Sequence, residues 1–222
     1  MDDESINKFN LIQDNLKKAI SSPNKIPNII CVSKTFPIEK LLPLIKSGHC
    51  HFGENKVQEA IHKWKDFKIN KPNIKLHMIG SLQRNKVKKA IELFDYIHSL
   101  DNQKLADTLK KNEINLKKKL KYFIQVNLGN EAQKSGILYD ENKDFVKYCI
   151  DESRLDVIGL MIIPPNDTDN IKYFEKIDQL NRDLGFKDLS MGMSGDYMEA
   201  TKYNSTYLRI GSAILGERKS SY

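Results

Sequence analysis

Short, β-rich apolar runs alternate with amphipathic helical stretches along almost the whole sequence, and this alternation restricts the possible folds more than any other feature. Eight such runs occur, at residues 29–33, 50–53, 75–79, 96–100, 122–127, 157–163, 189–193 and 207–210. Strands that alternate with helices build a parallel sheet, because each helix returns the chain across the sheet. Eight repeats of the unit predict an α/β fold of the closed (β/α)8, or TIM-barrel, type. The alternative, an open doubly wound sheet, is less favoured because the Gly-x-Gly-x-x-Gly fingerprint is absent.

Helical periodicity fills the intervals between these runs. The clearest stretches are residues 38–47, 56–65, 103–111, 142–152 and 169–184. An extra helix at about residues 6–20 precedes the first strand and is expected to close the bottom of the barrel. Asp101, and either Asp140 or Asn142, are placed to cap helix starts, and Gly48 and Gly185 stand where helices should end. Nothing in the sequence resembles a linker, so residues 1–222 are predicted to form one domain.

Composition bears on location and partners. The N-terminus is acidic and polar, no apolar run approaches the roughly 20 residues of a membrane helix, and the three cysteines show no paired spacing. We therefore expect a cytoplasmic protein without a membrane partner, and we expect it to be a monomer. The net charge of +7 raises the possibility of a polyanion-binding module. Nucleic acid is not expected, because the basic residues are dispersed and aromatic residues do not interleave with them.

In a barrel of this type, catalytic and ligand-binding groups gather where the strands end. The residues at these positions are Ser33-Lys34-Thr35, Glu54-Asn55, Gly80-Ser81, Ser99, Asn127, Pro164, Ser194-Gly195 and residues 209–212. Lys34 ends a strand with an apolar wall behind it, and desolvation disfavours the charged form of such an amine. A neutral amine can attack a carbonyl carbon and form an imine. With 36 lysines and arginines in the chain, a lysine could also end a strand by chance.

Glycine and serine follow the last two predicted strands. Met193-Ser194-Gly195-Asp196 and Ile210-Gly211-Ser212-Ala213 each end a strand and open a helix. Loops at these two positions form the recurrent phosphate site of the fold, because glycines let backbone N–H groups approach an anion and serines add donors. Each segment alone could be an ordinary turn, but together with Lys34 they suit a phosphorylated aldehyde.

The histidines suggest other kinds of site. His49 and His51 would lie on one face of a strand, but they provide only two ligands, so a zinc site is not expected. His77 is interpreted as a hydrogen-bonded barrel histidine rather than as a catalytic base.

Several segments are typical of one protein family. They are Val32-Ser33-Lys34-Thr35, Phe52-Gly53-Glu54-Asn55 with Gln58-Glu59, His77-Met78-Ile79-Gly80-Ser81-Leu82-Gln83 with Asn85-Lys86, Gln125-Val126-Asn127, Lys134-Ser135-Gly136, Gly159-Leu160-Met161, Leu189-Ser190-Met191-Gly192-Met193-Ser194-Gly195-Asp196, and Arg209-Ile210-Gly211-Ser212-Ala213-Ile214-Leu215-Gly216. They follow one another with family-like spacing from about Ile29 to Arg218, and the Ser-Met-Gly-Met-Ser-Gly-Asp run is highly specific. On these motifs the chain resembles the pyridoxal phosphate homeostasis protein family, whose barrel is similar to the N-terminal domain of alanine racemase.

The resemblance implies a cofactor and a role for individual residues. It implies pyridoxal 5′-phosphate (PLP) held as a Schiff base on Lys34, with Arg209 facing the pyridine nitrogen. The residues that it assigns to cofactor binding are Lys34, Asn55, His77, Ser194, Gly195, Arg209, Gly211 and Ser212. Asn55 and His77 would line the pocket, and the serines and glycines would take the phosphate. Lys134 matches a lysine that the family associates with cofactor handling.

The sequence departs from the family pattern at three positions. Phe36 stands where many relatives carry a second lysine, so any auxiliary role of that lysine is in doubt here. Lys56 stands where relatives often have tyrosine, and Ser212 replaces a commoner threonine but keeps the hydroxyl.

The expected function is a PLP carrier in intracellular PLP homeostasis, with apo forms of PLP-dependent enzymes as recipients and with little or no turnover. A racemase-like enzyme is the alternative, but racemisation needs acid/base groups on both faces of the bound substrate. In alanine racemase one of them comes from a second domain, which this chain is not expected to have. A Schiff-base aldolase is a further alternative, with Glu54 as the acid/base carboxylate.

Overall fold

The computed structural model describes residues 4–20, 22, 25–129, 135–165 and 170–217. Its strands are β1 (Asn28–Val32), β2 (His51–Glu54), β3 (Lys75–Met78), β4 (Tyr96–Leu100), β5 (Lys121–Asn127), β6 (Ile137–Leu138), β7 (Asp156–Ile162), β8 (Asp188–Met193) and β9 (Tyr207–Ile210). Eight of them pair in parallel in the order β1-β2-β3-β4-β5-β7-β8-β9, and β9 pairs with β1 to close the ring. The predicted (β/α)8 barrel is confirmed, and each predicted strand agrees with the structure within one residue at either end.

Helices surround this ring. They are α1 (Glu4–Ala19), α2 (Leu42–Lys46), α3 (Val57–Asn70), α4 (Val87–Leu93), α5 (Gln103–Leu116), α6 (Asn142–Lys147), α7 (Asn170–Asp183), α8 (Tyr197–Thr201) and α9 (Ser212–Leu215). The predicted N-terminal helix is present as α1, and its Phe9 ring packs against His49 just before β2. Within the described ranges, no helix has the length and apolar character needed to cross a bilayer.

Local capping differs from the prediction at two helix starts and agrees at two helix ends. α6 follows Glu141 and has no side-chain cap, so neither Asp140 nor Asn142 caps it. α5 is capped by Asn102 rather than by Asp101, because Asn102 Oδ1 accepts a hydrogen bond from the Leu105 N–H at 2.9 Å. Gly48 and Gly185 follow α2 and α7 with φ angles of +96° and +75°. This left-handed conformation ends a helix and suits glycine, which has no Cβ to clash.

The barrel separates two groups of buried apolar residues. The larger group lies between the strands and the outer helices, whereas Ile30, Phe123, Met161 and Tyr207 form a small cluster of their own. In a strand, residues two apart point to the same face. Arg209, two residues after Tyr207, therefore points into the same lumen, so polar side chains share the inside of the barrel with this small apolar cluster.

Candidate functional site

A cavity of about 470 Å³ opens at the C-terminal ends of the barrel strands. It is lined by Val32, Lys34, Phe36, Asn55, Ile79, Gly80, Ile163, Met193, Ser194, Gly195, Arg209, Gly211, Ser212 and Gly216. Seven of the eight residues that the resemblance assigns to cofactor binding are in this set. The structure thus brings residues from both ends of the chain together at the face where the sequence placed the site.

Other strand-end residues lie beside this cavity or below it. Ser81 and Asn127 line a smaller adjoining pocket of about 250 Å³, which shares three lining residues with the cavity. Ser99 and Pro164 are buried and line neither pocket. Lys134, which the resemblance associates with cofactor handling, lies outside the described residues.

The strand end that carries Lys34 is fixed by a buried polar cluster. The Ser33 hydroxyl donates to Glu54 Oε1 at 2.7 Å, and the Ser33 N–H donates to the Gly53 carbonyl at 2.9 Å. Lys63 Nζ donates both to Glu54 Oε1 at 2.8 Å and to the Ser33 carbonyl at 2.7 Å. Because side chains alternate along a strand, Ser33 faces this cluster while Lys34 lines the cavity.

A strained turn follows directly after Lys34. Thr35 has a φ of +70°, a left-handed conformation that is costly for a β-branched residue. The Thr35 N–H donates to Glu59 Oε1 on α3, and the Phe36 N–H donates to the Ser33 carbonyl at 3.1 Å. These bonds offset the strain and hold the turn, so Lys34 projects from a defined backbone.

The sequence did not reveal the helix residues that support this turn. Glu59, Lys63 and Trp64 all lie on α3, and the Trp64 indole donates to Glu54 Oε1 at 2.9 Å. The one available signal was the spacing of Glu59 and Lys63, which places both on one helix face. Glu54 is fully buried in this cluster and does not line the cavity. The aldolase alternative placed Glu54 beside Lys34 as an acid/base group, and the structure contradicts that placement.

Arg209 lies at the base of the cavity, where 4% of the residue is exposed. Its Nη1 donates to Ser190 Oγ and its Nη2 donates to the Ile162 carbonyl, each at 2.7 Å. Burial lowers the pKa of the guanidinium to about 10, while the negative charge of Asp196 acts in the opposite direction. The group therefore stays positively charged at neutral pH. An arginine can only donate hydrogen bonds, so any ligand atom that it meets must be an acceptor.

The loops after β8 and β9 converge on one oxygen atom. Ser194 Oγ accepts hydrogen bonds from the N–H groups of Gly211 at 3.2 Å and Ala213 at 3.3 Å. Asp196 Oδ1 accepts a hydrogen bond from the Met193 N–H at 2.6 Å and so fixes the first loop. The two loops that follow neighbouring strands therefore lie side by side. They present backbone donors of the second loop to a single oxygen, which is the arrangement that an anion requires.

Asn55 and His77 differ in their placement. Asn55 lines the cavity, and its buried Oδ1 has no hydrogen-bond partner within the described part of the chain. His77 is fully buried below the cavity and does not line it, so the expectation that it forms the pocket wall is wrong. Its ring stacks on Tyr96 with centroids 4.3 Å apart, which agrees with the interpretation of His77 as a packed barrel histidine.

His49 and His51 do not share a face of a strand, contrary to the expectation. β2 begins at His51, whose Nδ1 lies 2.9 Å from His77 Nε2 in the lumen. His49 precedes the strand, donates from Nε2 to the His51 carbonyl and packs on Phe9 and Phe52. Among the described residues, no three histidine, cysteine or carboxylate groups are placed to hold a metal ion.

Gly80 allows the close approach of two strand ends at the cavity. A Cβ added there would lie 2.4 Å from the Asn55 carbonyl oxygen and 2.9 Å from Asn55 Cα. We expect Gly80→Ala to lower the free energy of unfolding by about 1–3 kcal/mol, because the backbone must shift to admit the methyl group. Urea unfolding of the ligand-free protein measures this, with Gly195→Ala as control, since a Cβ at Gly195 meets nothing within 4 Å. If the two variants were equally stable, the backbones of the two strand ends would be able to move apart without a cost in the free energy of unfolding.

Comparisons with known proteins agree with this geometry. The family model described as alanine racemase, N-terminal domain, matches residues 9–219. A pyridoxal phosphate homeostasis protein of Haemophilus influenzae is 37% identical over 96% of this chain and 95% of its own length. The solved structure of PipY from Synechococcus elongatus with PLP bound has a TM-score of 0.82 and 30% identity, over 92% of this chain and 100% of that one. Alanine racemase of Clostridium difficile, 12% identical, shares the fold with a TM-score of 0.75 over 99% of this chain and 58% of its own.

Proposed function

Since this chain belongs to the pyridoxal phosphate homeostasis protein family, we propose that it binds PLP in the strand-end cavity, holds it as a Schiff base on Lys34, and acts in intracellular PLP homeostasis and carriage. The observation that carries the proposal is the convergence of a lysine, a phosphate-type loop pair and a buried arginine on one cavity. A related chain, PipY, was solved with PLP bound.

The chemistry of the lining residues fits the parts of PLP. The Lys34 amine reacts with an aldehyde by adding to the carbonyl carbon with loss of water. The phosphate would accept hydrogen bonds from the N–H groups of Gly211 and Ala213 and from the hydroxyls of Ser194 and Ser212. Gly195 has no side chain, so the backbone there could come close to the phosphate. The cavity volume of about 470 Å³ lies within the ordinary range for cofactor sites.

Arg209 favours retention of the cofactor over catalysis. When bound, PLP supplies an aldehyde and an electron-withdrawing ring, and the ring withdraws most strongly when its nitrogen is protonated. The Arg209 guanidinium has N–H donors and no acceptor, so it would leave that nitrogen unprotonated. The chain thus binds the cofactor in a form with weak electron-withdrawing power.

The cavity offers one titratable amine and few other acid/base groups. Among its described lining residues, the titratable side chains are those of Lys34 and Arg209, and none is a tyrosine, histidine, cysteine or carboxylate. Racemisation requires proton transfer on both faces of a bound amino acid, and Lys34 could serve one face. Because the described lining provides such a group for one face only, it supports a carrier with at most weak racemase-like side activity. We propose apo forms of PLP-dependent enzymes as recipients of the released cofactor.

We expect turnover to be nearly absent. Incubation of the PLP-loaded protein with L-alanine and other amino acids should give racemisation rates many orders of magnitude below those of a dedicated racemase. Chiral chromatography of the amino acids over time measures the rate, with heat-denatured protein plus PLP as the control for the free cofactor. A turnover number in the usual enzyme range of about 1–10³ s⁻¹ would overturn the carrier proposal.

A further inference from the structure

A continuous hydrogen-bonded chain crosses the barrel lumen from Arg209. Arg209 Nη1 lies 2.7 Å from Ser190 Oγ, and Ser190 Oγ lies 2.9 Å from His98 Nδ1. His98 Nε2 lies 2.9 Å from His77 Nδ1, and His77 Nε2 lies 2.9 Å from His51 Nδ1. The four residues beyond Arg209 come from β8, β4, β3 and β2. We call this series the lumen chain; it links the cavity to the opposite end of the barrel.

The lumen chain is buried and held by aromatic rings. Ser190, His98 and His77 have no exposed surface, and His51 is partly exposed beside a small pocket under α1. The His98 ring stacks on Phe123 with centroids 4.3 Å apart, as the His77 ring does on Tyr96. The imidazoles of His98 and His77 are therefore fixed in position, and each makes a hydrogen bond through both of its nitrogens.

Arg209 determines the direction of these bonds. Its guanidinium can only donate, so Ser190 Oγ accepts from it and has its own proton left to give. The nearest acceptor for that proton is His98 Nδ1. If His98 Nδ1 donated instead, the serine proton would have no acceptor within the part of the chain that the structure describes, which is costly for a buried hydroxyl. With Nδ1 accepting, a neutral His98 must carry its proton on Nε2 and donate it to His77 Nδ1. A neutral His77 must then also carry its proton on Nε2.

We propose that Ser190, His98 and His77 are positioning residues for Arg209, forming a one-way hydrogen-bond chain of neutral Nε2–H imidazoles that keeps the guanidinium directed at the cavity. Burial supports the neutral state, because it lowers the pKa of both His77 and His98 well below the usual value. The direction of the chain is independent of any ligand, whereas its consequence for PLP rests on the function proposed above.

The tautomers of His98 and His77 test the proposal directly. In ¹⁵N NMR spectra of the ligand-free protein at neutral pH, His98 and His77 should each show a protonated Nε2 and an unprotonated Nδ1. Ser190→Ala should disturb the tautomers of both residues, because the group that orients the chain is lost. His51→Phe should leave the His98 tautomer unchanged, because Ser190 still sets the direction from the other end. Ser205→Ala is the matched control, since Ser205 is a buried serine that donates to the Met191 carbonyl outside the chain.

A second readout measures the effect on the cofactor. Ser190→Ala should weaken PLP binding by about tenfold or more, because a charged donor loses its acceptor, while Ser205→Ala should not. An Nδ1–H tautomer at His98 in the unmodified protein would overturn the proposal. The proposal would also be wrong if Ser190→Ala and Ser205→Ala bound PLP with equal affinity and both kept the histidine tautomers of the unmodified protein. If the unmodified protein bound no PLP at all, the function proposed above would fail, yet the tautomers would still decide the direction of the chain.

Discussion

Lys34→Ala is expected to abolish covalent retention of PLP, with complete loss of the visible absorbance of the Schiff base. No other titratable amine lines the described cavity, and the turn at Thr35 directs Lys34 into it. Borohydride reduction of the PLP-loaded protein should fix the cofactor as a pyridoxyl group, and peptide mass spectrometry should find that group on Lys34. Lys34→Arg should behave like Lys34→Ala, since it keeps the charge but cannot form the imine.

Lys56→Ala is the control for this experiment. Lys56 is an exposed lysine close to the cavity that lies outside the set of lining residues, so its loss should leave absorbance and labelling unchanged. A pyridoxyl group found mainly on Lys134, or on no lysine, would contradict the central assignment. Labelling spread evenly over several exposed lysines would likewise show that the reaction is not directed by the site.

Removal of the ligand phosphate is expected to weaken binding by roughly 10²- to 10⁴-fold. Pyridoxal keeps the aldehyde and ring of PLP but loses the group that the loops after β8 and β9 would hold. Each hydrogen bond to a charged group contributes on the order of 1.5–3 kcal/mol, and the estimate assumes the loss of two of them. Absorbance titrations with PLP and with pyridoxal at equal pH measure the ratio, and inorganic phosphate should compete with PLP. Equal affinities would show that these loops do not bind the phosphate.

Gly211→Asp isolates the electrostatic part of this interaction. The carboxylate places a like charge beside the phosphate and should abolish PLP retention. Gly211→Ala is the matched variant, because a Cβ there would lie 3.3 Å from the Val32 Cβ and carbonyl oxygen, which is tight but adds no charge. A far smaller loss in Gly211→Ala assigns the effect to charge, whereas equal losses would assign it to crowding against β1.

The sequence predicted the barrel well because its signals are local. Each of the eight barrel strands was a short apolar run between helical stretches, so their positions followed from periodicity within one residue, whereas the two-residue strand β6 was not predicted. Lys34, Arg209 and the two glycine–serine loops were also predictable, since the C-terminal end of a strand in a parallel barrel is a defined place. Their convergence on one cavity then required only that the ring close between β1 and β9.

The expectation that His77 lines the cavity was wrong because the sequence does not show how far below the cavity a strand residue lies. His77 and Ile79 point to the same side, but Ile79 reaches the cavity and His77 lies one layer lower. Two residues of a strand advance by about 6.6 Å, which is enough to separate a wall residue from a buried one. The position of a residue in a sequence motif does not show which of these two levels it occupies. The sequence also could not show the partners of His77, because they come from β2 and β4.

The support of the Lys34 turn by α3 was unpredictable for a related reason. Which face of a helix meets which strand end depends on packing between elements that are distant in sequence. In the sequence, Glu59 and Lys63 have the spacing of an ordinary ion pair on a helix surface. Only the structure shows that Lys63 donates hydrogen bonds to the Ser33 carbonyl and to Glu54. At α5 the error was smaller, because Asn102 and Asp101 are neighbours with similar capping ability, and backbone geometry decided between them.

The pairing of β1 with β9 has a consequence for how the protein is made. Lys34 follows the first strand and Arg209 lies on the last, so the two come together only when the final strand docks beside the first. Contacts between such distant segments form late and slowly, because a very long loop must be closed. A nascent chain still lacking its last strand would have the lysine but not the loop that follows β9. If the proposed site is correct, complete binding of the cofactor therefore requires the finished molecule, and the bound cofactor would in turn stabilise the closed ring by mass action.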